Sequence, residues 1–257
     1  MGAILTLQGL TRFFGGLAAV MDLSFEVQAG EILSLIGPNG AGKTTVFNLI
    51  TGTLLPTRGK VFFQDREISG SRPYETTARG VARTFQTTAL FYDEAVVDNL
   101  IVGYRCRTRM GLWDALLRTG RSREDERRCR RKAEEILEFI DLKERGSELA
   151  RNIPQESQKR LAIGLALVTE PKLLLLDEPM GGLAEEENVS MMALIQKVRT
   201  RGISVVLIEH KMKIVMNISD RIVVLNYGQK IAEGSPTEVG RNSAVIEAYL
   251  GAGYAKT

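Results

Sequence analysis

Three short runs of apolar residues recur along the chain, and each is followed by polar residues and then by a helical pattern. They cover residues 32–36, 173–176 and 205–208. Runs of this length without a polar interruption are typical of strands that are buried on both faces of a parallel sheet. The repeated order of strand, loop and helix predicts an α/β fold with a mainly parallel core sheet. Ligands of such folds bind beside the loops that leave the carboxyl ends of the strands.

The pattern changes in the middle of the chain, where apolar residues recur at helical spacing after Ser122, a candidate N-cap. These residues are Ala133, Ile136, Leu137 and Ile140. We therefore expect a helical subdomain over residues 98–169, inserted into a sheet domain that consists of 1–97 and 170–240. Residues 241–257 are expected to form a C-terminal helix and tail.

The composition gives no indication of a nucleic-acid binder, a membrane-spanning chain or a cysteine metal site. The chain has 34 Lys and Arg against 31 Asp and Glu, and its net charge of +3 is too small to indicate a nucleic-acid binder. No segment approaches the ~18 consecutive apolar residues of a membrane-spanning helix, so we expect a chain that does not cross a bilayer by itself. Cys106 and Cys129 are isolated, which excludes a C-x-x-C metal half-site and favours a reducing, cytoplasmic setting.

A glycine-rich stretch lies between the 32–36 run and a helical pattern over 44–51, and it matches G-x-x-x-x-G-K-[ST]. It contains Gly37, Asn39, Gly40, Ala41, Gly42, Lys43 and Thr44. In such a loop the backbone N–H groups converge on phosphates, the lysine supplies a positive charge, and the hydroxyl ligates Mg²⁺. The alternative is a plain turn from strand to helix, but the position between strand and helix favours a site for a nucleoside triphosphate.

Two carboxylates follow the 173–176 run directly. Asp177 and Glu178 would reach the carboxyl end of that strand, beside the phosphates. We expect Asp177 to hold Mg²⁺ and Glu178 to activate the attacking water as general base. The alternative is an ordinary strand end with two acidic residues before Pro179.

With these motifs, the sequence resembles the ATPases of ABC transporters over nearly its whole length. The segments that carry the resemblance are 37–45, 83–86, 173–179 and 209–210. Within that family the chain is similar to one ATPase subunit of branched-chain amino-acid importers. The segments that carry this narrower similarity are 34–37, 46–48, 212–221 and 248–251. The resemblance implies a P-loop NTPase fold with an N-terminal antiparallel β region and an inserted α-helical subdomain.

The resemblance also implies roles for single residues. Phe14 matches the aromatic residue that stacks on adenine, although a core phenylalanine beside Phe13 is the alternative. Thr45 belongs to the nucleotide-binding loop. Gln86 matches the glutamine that ligates Mg²⁺ in the loop where the membrane subunit docks, and His210 matches the histidine that contacts the γ-phosphate and orients the water.

One motif departs from the family. ATPases of this family begin the inserted helix with Leu-Ser-Gly-Gly-Gln, which binds the γ-phosphate of the opposite subunit, whereas this chain has Pro154, Gln155, Glu156 and Ser157. Pro154 offers neither a hydroxyl nor an N–H group. Glu156 would add a negative charge, at a cost of about 4 kcal/mol for a unit charge ~4 Å away at an effective dielectric of ~20. Ala184 stands where the family usually has Asp or Asn. The alternative is that this helix simply packs.

The resemblance implies an ATP- and Mg²⁺-dependent, energy-coupling subunit of an ABC importer, for branched-chain or other amino acids. Its partners would be a second ABC ATPase subunit, two transmembrane permease subunits and indirectly a solute-binding protein, with no nucleic acid. The expected location is the cytoplasmic face of the inner membrane, as a peripheral subunit. Because of the departure at 153–157, we favour an asymmetric heterodimer over a homodimer.

Other functions remain open at this point. One is an ATP-binding regulatory subunit with little hydrolysis, which the altered stretch at 153–157 suggests. Another is the ATPase of an importer for a different small solute, such as urea. A third is an ABC protein that acts on ribosomes or DNA, but such proteins usually have two cassettes or a long coiled coil, and neither is present in the sequence.

Overall fold

The structure is a computed structural model that describes residues 2–84, 90–105 and 120–254, without the side chains of 120–123 and 250–254. It divides into two compact units. The first consists of Met1–Arg83 and Lys172–Thr257, and the second is Thr84–Pro171. The second unit begins before residue 98, where the sequence placed the start of the helical insertion.

Strands and helices alternate through most of the described chain. The strands are β1 (Ala3–Phe14), β2 (Leu17–Gln28), β3 (Ile32–Ile36), β4 (Arg58–Phe63), β5 (Arg66–Glu67), β6 (Val81–Arg83), β7 (Leu173–Asp177), β8 (Ser204–Ile208), β9 (Arg221–Asn226) and β10 (Gln229–Gly234). The helices are α1 (Lys43–Ile50), α2 (Pro73–Arg79), α3 (Val96–Arg105), α4 (Gly120–Phe139), α5 (Gln155–Leu167), α6 (Glu185–Thr200), α7 (Met212–Ile218), α8 (Pro236–Gly240) and α9 (Ser243–Tyr254). None of these helices combines the length and the apolar character that crossing a bilayer requires.

The first unit contains the predicted parallel core sheet, in the order β10-β9-β3-β8-β7-β6, with β9 and β10 antiparallel. All residues of β3, β7 and β8 are buried. These are the three strands that the apolar runs predicted, because a strand covered on both faces has no position for a solvated side chain. A separate antiparallel sheet, in the order β2-β1-β4-β5, forms the N-terminal region.

Helix α1 is largely buried and connects the two sheets through the core of the first unit. Its apolar residues belong to a cluster that also contains residues of both sheets, such as Leu7 of β1 and Leu33 of β3. Phe47 is completely buried at the centre of this helix. The helix that carries the phosphate-binding motif is therefore held by packing along most of its length.

The second unit is helical, as the sequence predicted, and contains α3, α4 and α5. The four apolar residues at helical spacing, 133, 136, 137 and 140, are all buried. At Gly164 of α5 a Cβ would lie 2.7 Å from the Ile140 side chain, so glycine permits close packing there. The expected cap at Ser122 is wrong, because α4 already includes Gly120 and serine is tolerated inside a helix whose backbone bonds have formed.

We expect Phe47→Ala to lower the free energy of unfolding by about 3–5 kcal/mol, because it leaves a cavity at the centre of the core. Chemical denaturation followed by the far-UV signal measures this loss. Val189→Ala on α6 is the control, since Val189 is 59% exposed. Equal losses in both variants would contradict the central position of Phe47.

Candidate active site

The loop between β3 and α1 requires glycine for reasons of space. Gly37, Gly40 and Gly42 have φ angles of 150°, 82° and 99°. A Cβ at Gly37 would lie 2.1 Å from the Leu225 carbonyl oxygen, and one at Gly42 would lie 2.3 Å from the Ala19 carbonyl oxygen. Both contacts are to backbone atoms, so no rotamer change relieves them. The glycines of the motif therefore let this loop pass close to β9 and β2.

Lys43 begins α1, and its ammonium group turns back into the loop. Its Nζ donates to the carbonyl oxygens of Gly37 at 2.8 Å and Pro38 at 3.0 Å. Burial lowers the pKa of Lys43 from its ordinary value, while the carboxylates of Glu178 and Asp177 oppose this shift. The structure thus places a buried cation in the loop, with both predicted acidic residues near enough to influence it.

The first turn of α1 is open to an anion. Its N-cap, Gly42, makes no side-chain capping bond, and the first turn contains no acidic residue. The amide groups and the positive end of the helix dipole therefore meet no carboxylate from the helix's own first turn. Asn39, Gly40 and Thr44 are exposed, and Thr45 is half-buried. These residues, which the sequence assigned to the nucleotide, lie on one loop and helix start.

Asp177, the last residue of β7, forms a buried ion pair that the sequence analysis did not foresee. Its Oδ2 lies 2.8 Å from Nη2 of Arg83, and the two side chains are 1% and 6% exposed. Arg83 also donates to Oδ1 of Asn48 at 2.6 Å, and its guanidinium lies over the Phe47 ring. Arg83 therefore links the carboxylate to helix α1. The pairing of β6 with β7 explains the contact, because both strands bring their carboxyl ends to one edge.

Glu178 and His210 face each other at the ends of β7 and β8. Nε2 of His210 lies 3.3 Å from Oε2 of Glu178. Glu178 has a φ of 50°, which is unusual for a residue other than glycine, and its N–H donates to the Ile208 carbonyl oxygen at 3.0 Å. The structure thus brings together the two residues that the sequence assigned to water activation, and it bends the backbone sharply at Glu178.

Glu209 supports this arrangement and was not assigned a role from the sequence. It is 1% exposed, and its Oε1 accepts a hydrogen bond from the Met180 N–H at 3.1 Å. Its Oε2 accepts from the N–H of His210 at 3.1 Å. A buried carboxylate normally requires such donors, so Glu209 ties the strand end that carries His210 to the loop after Glu178.

Phe14, which the resemblance assigned to adenine stacking, lies on the antiparallel sheet. Phe14 ends β1 and is 45% exposed, and the Arg12 guanidinium lies 4.8 Å from its ring centre. Phe13 is also exposed, so the alternative of a core phenylalanine does not apply. The ring of Phe14 is therefore partly open to solvent, with the Arg12 guanidinium over one face. Gln86 lies outside the described residues.

The altered stretch at 153–157 belongs to the second unit. Pro154 is the N-cap of α5, with no side-chain capping bond. Oε1 of Glu156 accepts a hydrogen bond from Nε of Arg160 at 2.9 Å. Arg160 is 7% exposed and also donates to Oδ2 of Asp141 at 3.0 Å. The carboxylate of Glu156 is therefore paired within its own helix, which reduces the repulsion that the sequence suggested, and Arg160 shares its charge between Glu156 and Asp141.

Comparison with known proteins identifies two matching family models. One is described as an ABC transporter and matches residues 20–181, and the other is described as a branched-chain amino acid ATP-binding cassette transporter and matches residues 229–255. The chain is 43% identical over 249 residues to the high-affinity branched-chain amino acid transport ATP-binding protein LivG of Salmonella typhimurium, across 96% of this chain and 98% of that protein. It is 41% identical to the corresponding protein BraF of Pseudomonas aeruginosa, with the same coverage.

Two solved structures have the same fold. An ATP-binding cassette of an ABC transporter in its ADP conformation has a TM-score of 0.85 at 32% identity, over 98% of this chain and 100% of the other. A nucleotide-free cassette from an ABC transporter has a TM-score of 0.85 at 31% identity, over 96% and 99%.

We expect Gly37→Ala to weaken ATP binding about 5- to 150-fold, because overpacking against backbone costs about 1–3 kcal/mol. Titration with a fluorescent ATP analogue measures the affinity. Gly202→Ala is the matched control, since Gly202 also has a positive φ, 80°, but has no atom within 4 Å of an added Cβ. Its left-handed backbone costs roughly 1–2 kcal/mol of stability, and ATP affinity should stay unchanged. A similar affinity for both variants would contradict the close approach at Gly37.

Proposed function

The chain belongs to the ABC transporter family and is an ATPase, and we propose that it is the energy-coupling subunit of an importer for branched-chain amino acids. One observation supports the chemistry most strongly. The loop that carries Lys43 and the pair of Glu178 and His210, 3.3 Å apart, lie at the carboxyl ends of neighbouring strands of one sheet. The names of the relatives LivG and BraF support the choice of substrate.

The residues of the phosphate loop fit a nucleoside triphosphate. The loop accepts no side chain at Gly37 or Gly42, so its backbone can approach phosphate oxygens closely. Lys43 would exchange its two carbonyl partners for phosphate oxygens, whose negative charge offsets the burial of the ammonium. The exposed ring of Phe14 would stack on the adenine.

The same edge offers ligands of the type that Mg²⁺ prefers. The hydroxyl of Thr44 and the carboxylate of Asp177 are hard oxygen donors, and the family resemblance adds Gln86. Mg²⁺ bound with ATP would neutralise phosphate charge as the reaction proceeds. Asp177 would hold the metal while Arg83, 2.8 Å away, fixes the orientation of its carboxylate.

Glu178 and His210 would carry out the proton and water chemistry. Glu178 takes a proton from the water that attacks the γ-phosphorus atom. His210 donates a hydrogen bond to a γ-phosphate oxygen and keeps the water in line. The backbone bond from Glu178 to Ile208 joins the ends of the adjacent strands that carry the two residues.

Coupling to transport requires partners outside this chain. We propose that it binds a transmembrane permease pair as a peripheral subunit on the cytoplasmic face, and that a solute-binding protein delivers the amino acid. ATP binding would close two ATPase subunits on each other, and hydrolysis would release them.

The second ATPase subunit is proposed to be a different chain. Since Glu156 is paired with Arg160, the argument rests on Pro154, which has no N–H group or hydroxyl for a phosphate across the dimer. A homodimer would have this defect at both sites. In a heterodimer, a partner with Leu-Ser-Gly-Gly-Gln would complete the site that contains Lys43.

We expect Glu178→Gln to lower ATP turnover by at least about 10²-fold, because the amide cannot accept the proton of water. ATP binding should persist, and an ATP-bound dimer should accumulate in size-exclusion chromatography. Glu186→Gln is the control, because Glu186 is exposed on α6. If the chain were a regulatory subunit with little hydrolysis, turnover would scarcely change in Glu178→Gln.

We expect the chain alone to hydrolyse ATP slowly and the co-expressed pair of ATPase subunits to hydrolyse it fast. Pro154→Ser restores a hydroxyl and an N–H group, and should raise the rate of the chain alone about tenfold, the value of a charge-assisted hydrogen bond. Steady-state phosphate release measures both rates. Full activity of the unaltered chain alone would contradict the heterodimer.

A further inference from the structure

The loop that follows Glu178 is held by the two residues on either side of His210. Glu209 accepts a hydrogen bond from the N–H of Met180 at 3.1 Å. Lys211 donates from Nζ to the Met180 carbonyl oxygen at 3.2 Å and to the Leu183 carbonyl oxygen at 3.3 Å. Both backbone groups of Met180 are thus bound by neighbours of His210.

Hydrogen bonds of Glu209 connect these contacts to His210. The Glu209 carboxylate also accepts from the N–H groups of His210 at 3.1 Å and Lys211 at 3.4 Å. Glu209 and Lys211, the two residues whose side chains bind the loop, are therefore also bonded to each other. Met180 is completely buried and Leu183 is 6% exposed. The loop 180–183 is therefore joined to residues 209–211 by hydrogen bonds and is held by the burial of Met180 and Leu183.

Lys211 binds the carbonyl groups of this loop, whereas Glu209 binds an N–H group. The loop ends at Ala184, which has no polar side chain and has its N–H bonded to Oε2 of Glu187 at 2.8 Å, as the start of α6. Lys211 binds two carbonyl groups of this loop, those of Met180 and Leu183, through the same ammonium group. An ammonium group has three donors and suits two converging carbonyls.

The geometry of Glu178 shows why this loop matters. Glu178 has a φ of 50°, and its carbonyl oxygen accepts from the Gly181 N–H at 3.1 Å. A left-handed conformation at a glutamate persists only when its surroundings hold it in place. The loop 180–183 begins two residues after Glu178, so anchoring the loop also anchors the direction in which that carboxylate points.

We propose that Lys211 is a positioning residue for hydrolysis, which fixes the loop 180–183 and through it the distance between Glu178 and His210. This inference rests on the proposed function, since it assigns Lys211 a part in the ATPase reaction. The ammonium of Lys211 binds backbone carbonyls of the protein, and we assign it no direct role in the chemistry. Its loss should lower the rate of the chemical step and leave nucleotide binding unchanged.

The test uses the co-expressed pair of ATPase subunits in complex with the permease. Lys211→Met keeps the aliphatic stem and removes the donors, and it should lower kcat about 10- to 100-fold, as expected for a misplaced catalytic group. KM for ATP should change less than about twofold. Lys211→Arg, which can donate to both carbonyls, should recover most of the rate. Lys213→Met is the control, because Lys213 is exposed and pairs with Glu185.

Hydrogen exchange tests the same contacts without relying on activity. In Lys211→Met, the peptide that covers 178–184 should exchange faster than in the unaltered chain, whereas Lys213→Met should leave it unchanged. An unchanged kcat, a parallel change of kcat and KM, or unchanged exchange in Lys211→Met overturns the proposal. Absence of ATPase activity in the unaltered complex would instead refute the proposed function, and the exchange experiment would still test the anchor.

Discussion

Backbone contact at two glycines fixes the phosphate loop in place. At Gly37 the loop approaches the carbonyl of Leu225 in β9, and at Gly42 it approaches the carbonyl of Ala19 in β2. Such contacts hold the loop against both sheets, because main-chain atoms cannot rotate away as side chains can. Lys43 follows directly at the start of α1, and the packing of that helix keeps the ammonium at the edge where β7 and β8 end.

The cations of this edge are each held by oxygen atoms of the protein. Lys43 binds two backbone carbonyls, and Arg83 binds the carboxylate of Asp177. A bound triphosphate would bring negative charge to a buried ammonium whose pKa burial already lowers. The gain from this attraction is reduced by the two hydrogen bonds that Lys43 gives up. The affinity for ATP therefore depends on how much stronger the contacts of Lys43 with phosphate are than its contacts with the two carbonyls. Because the loop is held in place before ATP binds, little conformational entropy is lost on binding.

Features that depend on residues close together in the sequence can be predicted from it. Contacts that depend on the order of the strands in the sheet cannot. The three buried strands and the phosphate loop follow from local patterns, because each is encoded within a dozen residues. The pair of Arg83 and Asp177 could not be predicted, since it requires that β6 lie beside β7. The contacts of Glu209 and Lys211 with Met180 likewise require the pairing of β7 with β8. The pair of Glu156 and Arg160 is different, because its i, i+4 spacing was available in the sequence.

That last pair changes the physical meaning of the altered stretch at 153–157. With its carboxylate bound to Arg160, Glu156 repels an approaching phosphate less than a free carboxylate would. What remains is an absence of donors at Pro154, and a missing hydrogen bond weakens binding without preventing approach. A dimer of two such chains could still close around ATP but would hold each γ-phosphate with fewer donors. A different partner subunit would supply those donors to the ATP site that contains Lys43, Asp177 and Glu178. The argument for an asymmetric pair therefore rests on missing hydrogen-bond donors and needs no electrostatic penalty.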